Sequence, residues 1–119
     1  MTVDKHETAI TWDELPATIT TYLTAHQARD AATAITAFTA DAAVTDEGQT
    51  YRGRDHIGDW LRDAASGFTF TTEFVGATRN SERIDVVQHL EGDFPGGTAD
   101  LHFRFTMDGV LVSRLVIEP

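Results

Sequence analysis

A change of period at Gly67 limits what this chain can become. Before it, most apolar residues recur at helical spacing; after it, they alternate every second residue. Trp12 to His26 sets Leu15, Ile19, Tyr22 and Leu23 on one helical face, with Asp13 and Glu14 in the first turn. Pro16 is tolerated only near such a start. Asp30 to Thr39 aligns Ala31, Ala34, Ile35 and Phe38, and Asp30 is a fitting N-cap. Residues 43–46 and 49–52 read as a short hairpin around Glu47-Gly48. From Arg54 to Ala65, Ile57, Trp60, Leu61 and Ala64 oppose Asp55, Asp59, Arg62 and Asp63, and Gly67 ends that helix.

The second half is a run of strands. Phe68, Phe70, Thr72 and Phe74 share a face of one strand, Ile84, Val86, Gln88 and Leu90 of the next, and Leu101, Phe103 and Phe105 of a third. Residues 110–117 make a fourth. Asn80-Ser81, Pro95-Gly96 and Asp108-Gly109 are the turn signals. Helices followed by an antiparallel meander make an α+β domain with its helices on one face of the sheet. With Pro95-Gly96 at the centre of a turn, Leu90 faces Leu101, Gln88 faces Phe103, and His89 faces His102. With Asp108-Gly109 at the next centre, Val112 faces Phe105 and Arg114 faces Phe103. That register places Arg114 on the inner face, with Glu118 at its mouth. Val110, Val112 and Val116 on one face compete with Leu111, Leu115 and Ile117 on the other, so the alternative is that local twist turns the last strand and leaves both residues solvated. Residues 1–11, polar and without period, are expected to be a flexible tail before a single domain over 12–119.

Composition narrows the function classes. The chain has 119 residues, suited to one domain, and 41% of them are apolar. Seven Phe and two Trp can fill a core. With 9 basic and 19 acidic residues the net charge is −10, which repels nucleic acid and anionic membrane surfaces. There is no cysteine, so disulfides, thiolate chemistry and Cys-ligated metals are excluded. No apolar run approaches the roughly 20 residues of a membrane span, and the N-terminus lacks the apolar stretch of a signal peptide. A soluble, cytoplasmic domain is the expectation. Gly92 to Gly97 opens no helix and forms no phosphate loop, and no serine sits on an elbow motif.

Three segments carry a resemblance: TAFTADAAVTDEG (36–48), YRGRDHIGDWL (51–61) and LHFRFTMDG (101–109). In their order and spacing the chain resembles the nuclear transport factor 2-like superfamily, which includes ketosteroid isomerases and SnoaL-like polyketide cyclases. The resemblance implies a curved antiparallel sheet wrapped around three N-terminal helices, a cone-shaped, cystatin-like α+β barrel with a central pocket. It also implies dimer packing through the outer sheet face. Laid over the ketosteroid isomerases, Tyr22 matches their helix-one tyrosine and Asp46 their general base; their second oxyanion donor falls on Leu101, so half of that oxyanion hole is missing. The cyclases' His-Trp-Asp stretch on the last strand is Arg114-Leu115-Val116 here, so their acid is missing as well.

The site residues follow from both readings. Asp46, after an apolar strand and walled by Phe and Trp, suits a proton-shuttling base; otherwise it is a turn aspartate. Tyr22 lies on an apolar helix face, either as a donor to a ligand oxygen or as a core tyrosine with a backbone or water partner. Trp60, Phe70, Leu101 and Phe103 are expected to wall the pocket, with Gln88 as an orienting polar exception and Arg114 and Glu118 as its ionic partners. His89 and His102, with Glu91 and Asp100, make a metal set on paper. A structural or interface role is the preferred reading for them, so no metal is assigned. His26 and His56 lack ligand spacing. Valines, Leu111, Leu115, Ile117 and His102 leave one apolar sheet face that needs a partner, which points to a homodimer. The expected function is a small-molecule pocket protein; as an enzyme it would be a cofactor-independent isomerase, cyclase or dehydratase acting on an apolar carbonyl or hydroxyl compound. The alternative is a non-catalytic ligand-binding or dimeric interaction module with a vestigial pocket.

Overall fold

The computed structural model describes residues 8–67, 70–81 and 83–119. In chain order these form β1 (Thr8–Ile10), a 3-10 turn (Trp12–Glu14), α1 (Ala17–Gln27), and α2 (Ala31–Ala34) running into a second 3-10 turn (Ile35–Ala37). There follow β2 (Phe38–Asp46), β3 (Gln49–Arg52), α3 (Gly53–Gly67), β4 (Phe70–Asn80), β5 (Arg83–Gly92), β6 (Thr98–Asp108) and β7 (Leu111–Glu118). The seven strands make one sheet in the order β1-β4-β5-β6-β7-β2-β3. It is a mixed sheet: β2 runs parallel to β7, and the other neighbours are antiparallel.

Local chemistry explains where the elements begin and end. Pro16 splits the first expected helix, leaving a 3-10 turn before it and α1 after it. Asp30 caps α2 by accepting from the Thr33 N–H at 3.1 Å. That helix is shorter than its spacing suggests, because Phe38 already opens β2. Glu47 and Gly48 both have positive φ, as a two-residue I′ hairpin turn requires, and they hold Asp46 at the end of β2. Thr8–Ile10, expected in the loose tail, instead pair with Arg79, Thr78 and Ala77 of β4. Pairing through the backbone leaves no apolar signature in a short edge strand. Phe68 lies outside the described residues.

Two registers differ from expectation, with opposite consequences. Between β5 and β6 the pairing slides by two residues: Gln88 faces Leu101, Val86 faces Phe103, and Ile84 faces Phe105. An even slide keeps every face. It does separate His89 from His102, so that His89 faces Asp100 and His102 faces Val87. Between β6 and β7 the faces reverse. Gly109 takes the first central position of the turn at φ 65°, where a II′ turn needs glycine, so Asp108 pairs with Leu111. A bulge then inserts Ser113, whose hydroxyl donates to the Thr106 carbonyl at 3.2 Å, and Arg114 falls opposite Thr106. The odd net shift turns Leu115 and Ile117 inward, opposite Phe105 and Phe103. Arg114 therefore lies exposed on the outer face. Glu118, four residues further along β7, is exposed as well, lies opposite His102 and pairs with Arg104 at 3.1 Å.

The core fills the space between the inner sheet face and the helices. Ile19, Tyr22, Phe38, Val44, Ile57, Phe103, Phe105 and Leu115 are all buried in it. Arg54, at the start of α3, donates from Nε to the Phe38 carbonyl at 3.0 Å, which ties that helix to β2. The outer face is ionic where an apolar patch was expected. His89 contacts Asp100 at 2.6 Å and Glu91 at 3.1 Å, and His102 contacts Asp85 at 2.9 Å. With Leu115 and Ile117 in the core, the apolar argument for a dimer loses its main residues. Among the described residues, no helix is long and apolar enough to cross a membrane.

Candidate functional site

Tyr22 stands at the centre of the interior, on the face of α1 that also buries Ile19 and Leu23. Its ring meets Phe38 at 5.5 Å and Phe105 at 5.8 Å, both edge-on. Its hydroxyl is fully buried and has no hydrogen-bond partner among the described residues. Burial, helped by the charge of Asp46, pushes the phenol far above the ordinary tyrosine range. Tyr22 is thus a protonated donor from which no described residue accepts.

His26 lies one turn further along the same face. Its ring stacks on Tyr22 at 5.7 Å and on Trp60 at 6.3 Å, with Phe70 at 5.9 Å and Phe103 at 6.2 Å around it. Burial lowers this imidazole from 6.5 to about 4, so it is neutral at pH 7. Sequence reasoning passed His26 over because it weighed the histidine only as a metal ligand. A usable signal was present: His26 follows Tyr22 by four residues and Leu23 by three, which places it on their face.

Trp60 continues the line. α3 brings its indole N–H to the Oδ2 of Asp46 at 3.1 Å, and Tyr51 flanks the ring at 6.1 Å. Asp46 itself is partly buried at the end of β2. Desolvation raises its carboxyl above the ordinary aspartate value, opposed by the Trp60 hydrogen bond and assisted by the neighbouring Glu47 charge. Tyr22, His26, Trp60 and Asp46 thus follow one another through the interior. The hollow expected between phenol and carboxylate is occupied by aromatic rings.

Two cavities lie beside this line, and neither is lined by Tyr22 or Asp46. One, at the ends of α1 and α2 against Leu61 and Phe70, has a volume of about 10 Å³, barely room for a water. The other, about 310 Å³, is bounded by Trp12, Leu23, Thr24, Gln27, Thr72, Phe74 and Gln88. The structure therefore gathers Tyr22, Trp60, Phe70 and Phe103 around His26, with Asp46 reached through the Trp60 indole N–H. It places Gln88 in the larger cavity with Leu101 opposite it, and sends Arg114 and Glu118 to the outside. No group of three His, Asp or Glu side chains able to hold a metal exists among the described residues. What the interior offers is a proton donor, a carboxylate less acidic than usual and a neutral imidazole, a set suited to moving protons.

No protein-family model and no curated protein matches the sequence. Solved structures do. A candidate polyketide cyclase from Sinorhizobium meliloti superposes with a TM-score of 0.86 over 92% of this chain and 100% of its own, at 27% identity. A Catenulispora acidiphila protein of ketosteroid isomerase-like fold, in complex with trimethylamine, gives 0.78 over 87% and 85% at 17% identity. A Mycobacterium tuberculosis protein in complex with estradiol-17beta-hemisuccinate gives 0.70 over 86% and 90% at 13% identity. The fold is that of the nuclear transport factor 2-like superfamily. Within this nuclear transport factor 2-like frame, the position where a second oxyanion donor was sought holds Leu101, partly buried and opposite Gln88. Among the described residues, Tyr22 and Asp46 therefore have no second acid at that position.

Proposed function

We propose that this protein binds a small, mostly apolar molecule carrying a carbonyl or hydroxyl group, and that Asp46 moves a proton on it while Tyr22 donates to its oxygen. The observation that carries this reading is the Tyr22 hydroxyl. A buried hydroxyl without a partner costs about 1–3 kcal/mol, and a ligand oxygen would satisfy it. Entry to it requires the His26–Trp60 stack to open. The step balances within the substrate. Asp46 takes the proton from a carbon next to the carbonyl, the C–H electron pair moves into the carbonyl, and Tyr22 hydrogen-bonds the enolate oxygen. Return of the proton to the same or a neighbouring carbon completes exchange or isomerisation. Two of the structural neighbours are in complex with small molecules, which supports a binding role on this fold. The homodimer belongs to this reading too, through the outer sheet face, where the partly exposed Val87 and Val116 lie among ion pairs. Sedimentation equilibrium measures it.

Deuterium uptake by 2-tetralone in D2O, followed by NMR, tests the chemistry. The protein should accelerate exchange beside the carbonyl, and Asp46→Asn should slow it by about 100-fold or more. Exchange no faster than in buffer would end the acid–base reading. The packed interior and Leu101 favour a second reading, a binder without catalysis, in which 2-tetralone binds and is not exchanged.

A further inference from the structure

The cavity of about 310 Å³ has a property the interior line lacks: it is open, and one of its polar side chains is unused. Gln88 is only 3% exposed and sits on the inner sheet face, opposite Phe74 on one side and Leu101 on the other. Its neighbours along that face, Val86 and Leu90, are buried and apolar. No described residue hydrogen-bonds its carboxamide. A carboxamide carries one acceptor oxygen and two N–H donors, and here they face the open cavity, with no protein partner among the described residues.

The other amide in the cavity is already engaged. Gln27 accepts from the Thr72 N–H at 2.6 Å and from the Thr72 hydroxyl, and its Nε2 reaches the Phe70 carbonyl at 3.5 Å. This covers the edge of β4 at Thr72, where β1, paired only at residues 77–79, does not reach. Gln27 and Thr72 therefore serve the fold, and Gln88 is left for something else. The remaining walls are the rings of Trp12 and Phe74, edge to face at 5.4 Å, with Leu23 and Thr24. None of the lining side chains is ionisable.

We propose that this cavity is a second ligand site, taking a neutral, planar molecule that presents a hydrogen-bond donor and an acceptor side by side, as a lactam or a primary amide does. Gln88 would meet both groups at once, and of the two nearly perpendicular rings one would cover a flat face and the other meet the ligand edge-on. A charged ligand would be desolvated with no counter-charge, and an anion would also meet the chain's net charge of −10. The volume is at the small end of the range for organic ligands, which suits about two fused rings. The site shares no lining residue with Tyr22 and Asp46, so it stands or falls apart from the reading above.

The test uses the full chain and three two-ring probes: 2-quinolone, which has the donor–acceptor pair, quinoline, which has only an acceptor, and the anion 2-naphthoate. NMR titration should show 2-quinolone shifting the Gln88 carboxamide and Trp12 indole signals. It should bind about tenfold tighter than quinoline, the value of one well-made hydrogen bond. Gln88→Met should abolish that preference, and Thr24→Tyr, on the exposed rim of α1, should weaken both neutral probes. Tyr22→Phe should leave 2-quinolone binding unchanged, which separates this site from the interior one. Quinoline or 2-naphthoate binding as tightly as 2-quinolone would overturn the proposal, as would a preference that survives Gln88→Met. So would the absence of any shift at millimolar probe, since water alone would then be the partner of Gln88. Should Gln88→Met fail to fold, the ranking of the probes on the unmodified protein and the Thr24→Tyr variant decides.

Discussion

At the scale of single residues, two side chains on one face of α1 hold opposite relations to stability. The Tyr22 hydroxyl is buried without a partner, so Tyr22→Phe removes a polar group that the fold does not use. The variant should be more stable by about 1–2 kcal/mol in urea unfolding, and should bind a ligand that needs the phenol more weakly. A loss of stability would mean that the hydroxyl has a partner after all. His26 acts through pH. A histidine whose folded value is lowered binds protons less tightly when folded, so its contribution is full above about 6.5 and is lost as the pH falls toward 4. A drop from 6.5 to about 4 corresponds to roughly 3 kcal/mol. His26→Phe should flatten the stability profile between those two values, measured as the urea midpoint at pH 7 and pH 4.5. An unchanged slope would place His26 in water. Neither effect was legible beforehand: helical spacing puts both residues on an inner face, but only the surrounding rings decide whether a polar atom finds a partner there.

Among the elements, the β6–β7 turn and helix α3 make a contrasting pair of glycines. Gly109 has φ of 65°, with open space where a Cβ would go, so Gly109→Ala meets backbone strain and nothing else. It should cost about 1 kcal/mol. Gly58 lies inside α3, and a Cβ there would meet only the flexible end of Arg62 at 3.5 Å. Gly58→Ala should stabilise by roughly 0.5–1 kcal/mol. Thermal melts of the two variants should move in opposite directions; movement in the same direction would show that packing and not backbone conformation governs one of them. The same turn also decides the faces of β7. Alternating apolar residues stand on both sides of that strand, with Val112 and Val116 competing against Leu111, Leu115 and Ile117, so the pattern itself admits either orientation. Glycine in a II′ turn and one inserted serine chose between them.

Across the whole molecule, the arrangement sorts the candidate residues in a way their positions along the chain do not. Arg114 was expected in the pocket, and it lies on the outer face opposite Thr106. Arg114→Ala should therefore change stability by less than about 0.5 kcal/mol and leave the binding of every probe above unaltered, as calorimetry can check. A large loss of affinity would return it to the site. Asp46, Tyr22 and Trp60 do come together, because a I′ turn ends β2 at Asp46 and Arg54 ties α3 against that strand.

From the sequence alone came the change of period, the helices ahead of a meander, the hairpin whose first strand ends at Asp46 and the inner faces of β4, β5 and β6. These are local properties: side-chain spacing and turn chemistry act within a few residues and leave their mark on them. The parallel pairing of β2 with β7, the short strand at Thr8–Ile10, the direction in which Arg114 points and the ring-filled interior belonged to the tertiary structure. Each of these depends on how segments far apart in the chain meet, where a single inserted residue reverses a face and only close packing settles which polar groups are left without partners.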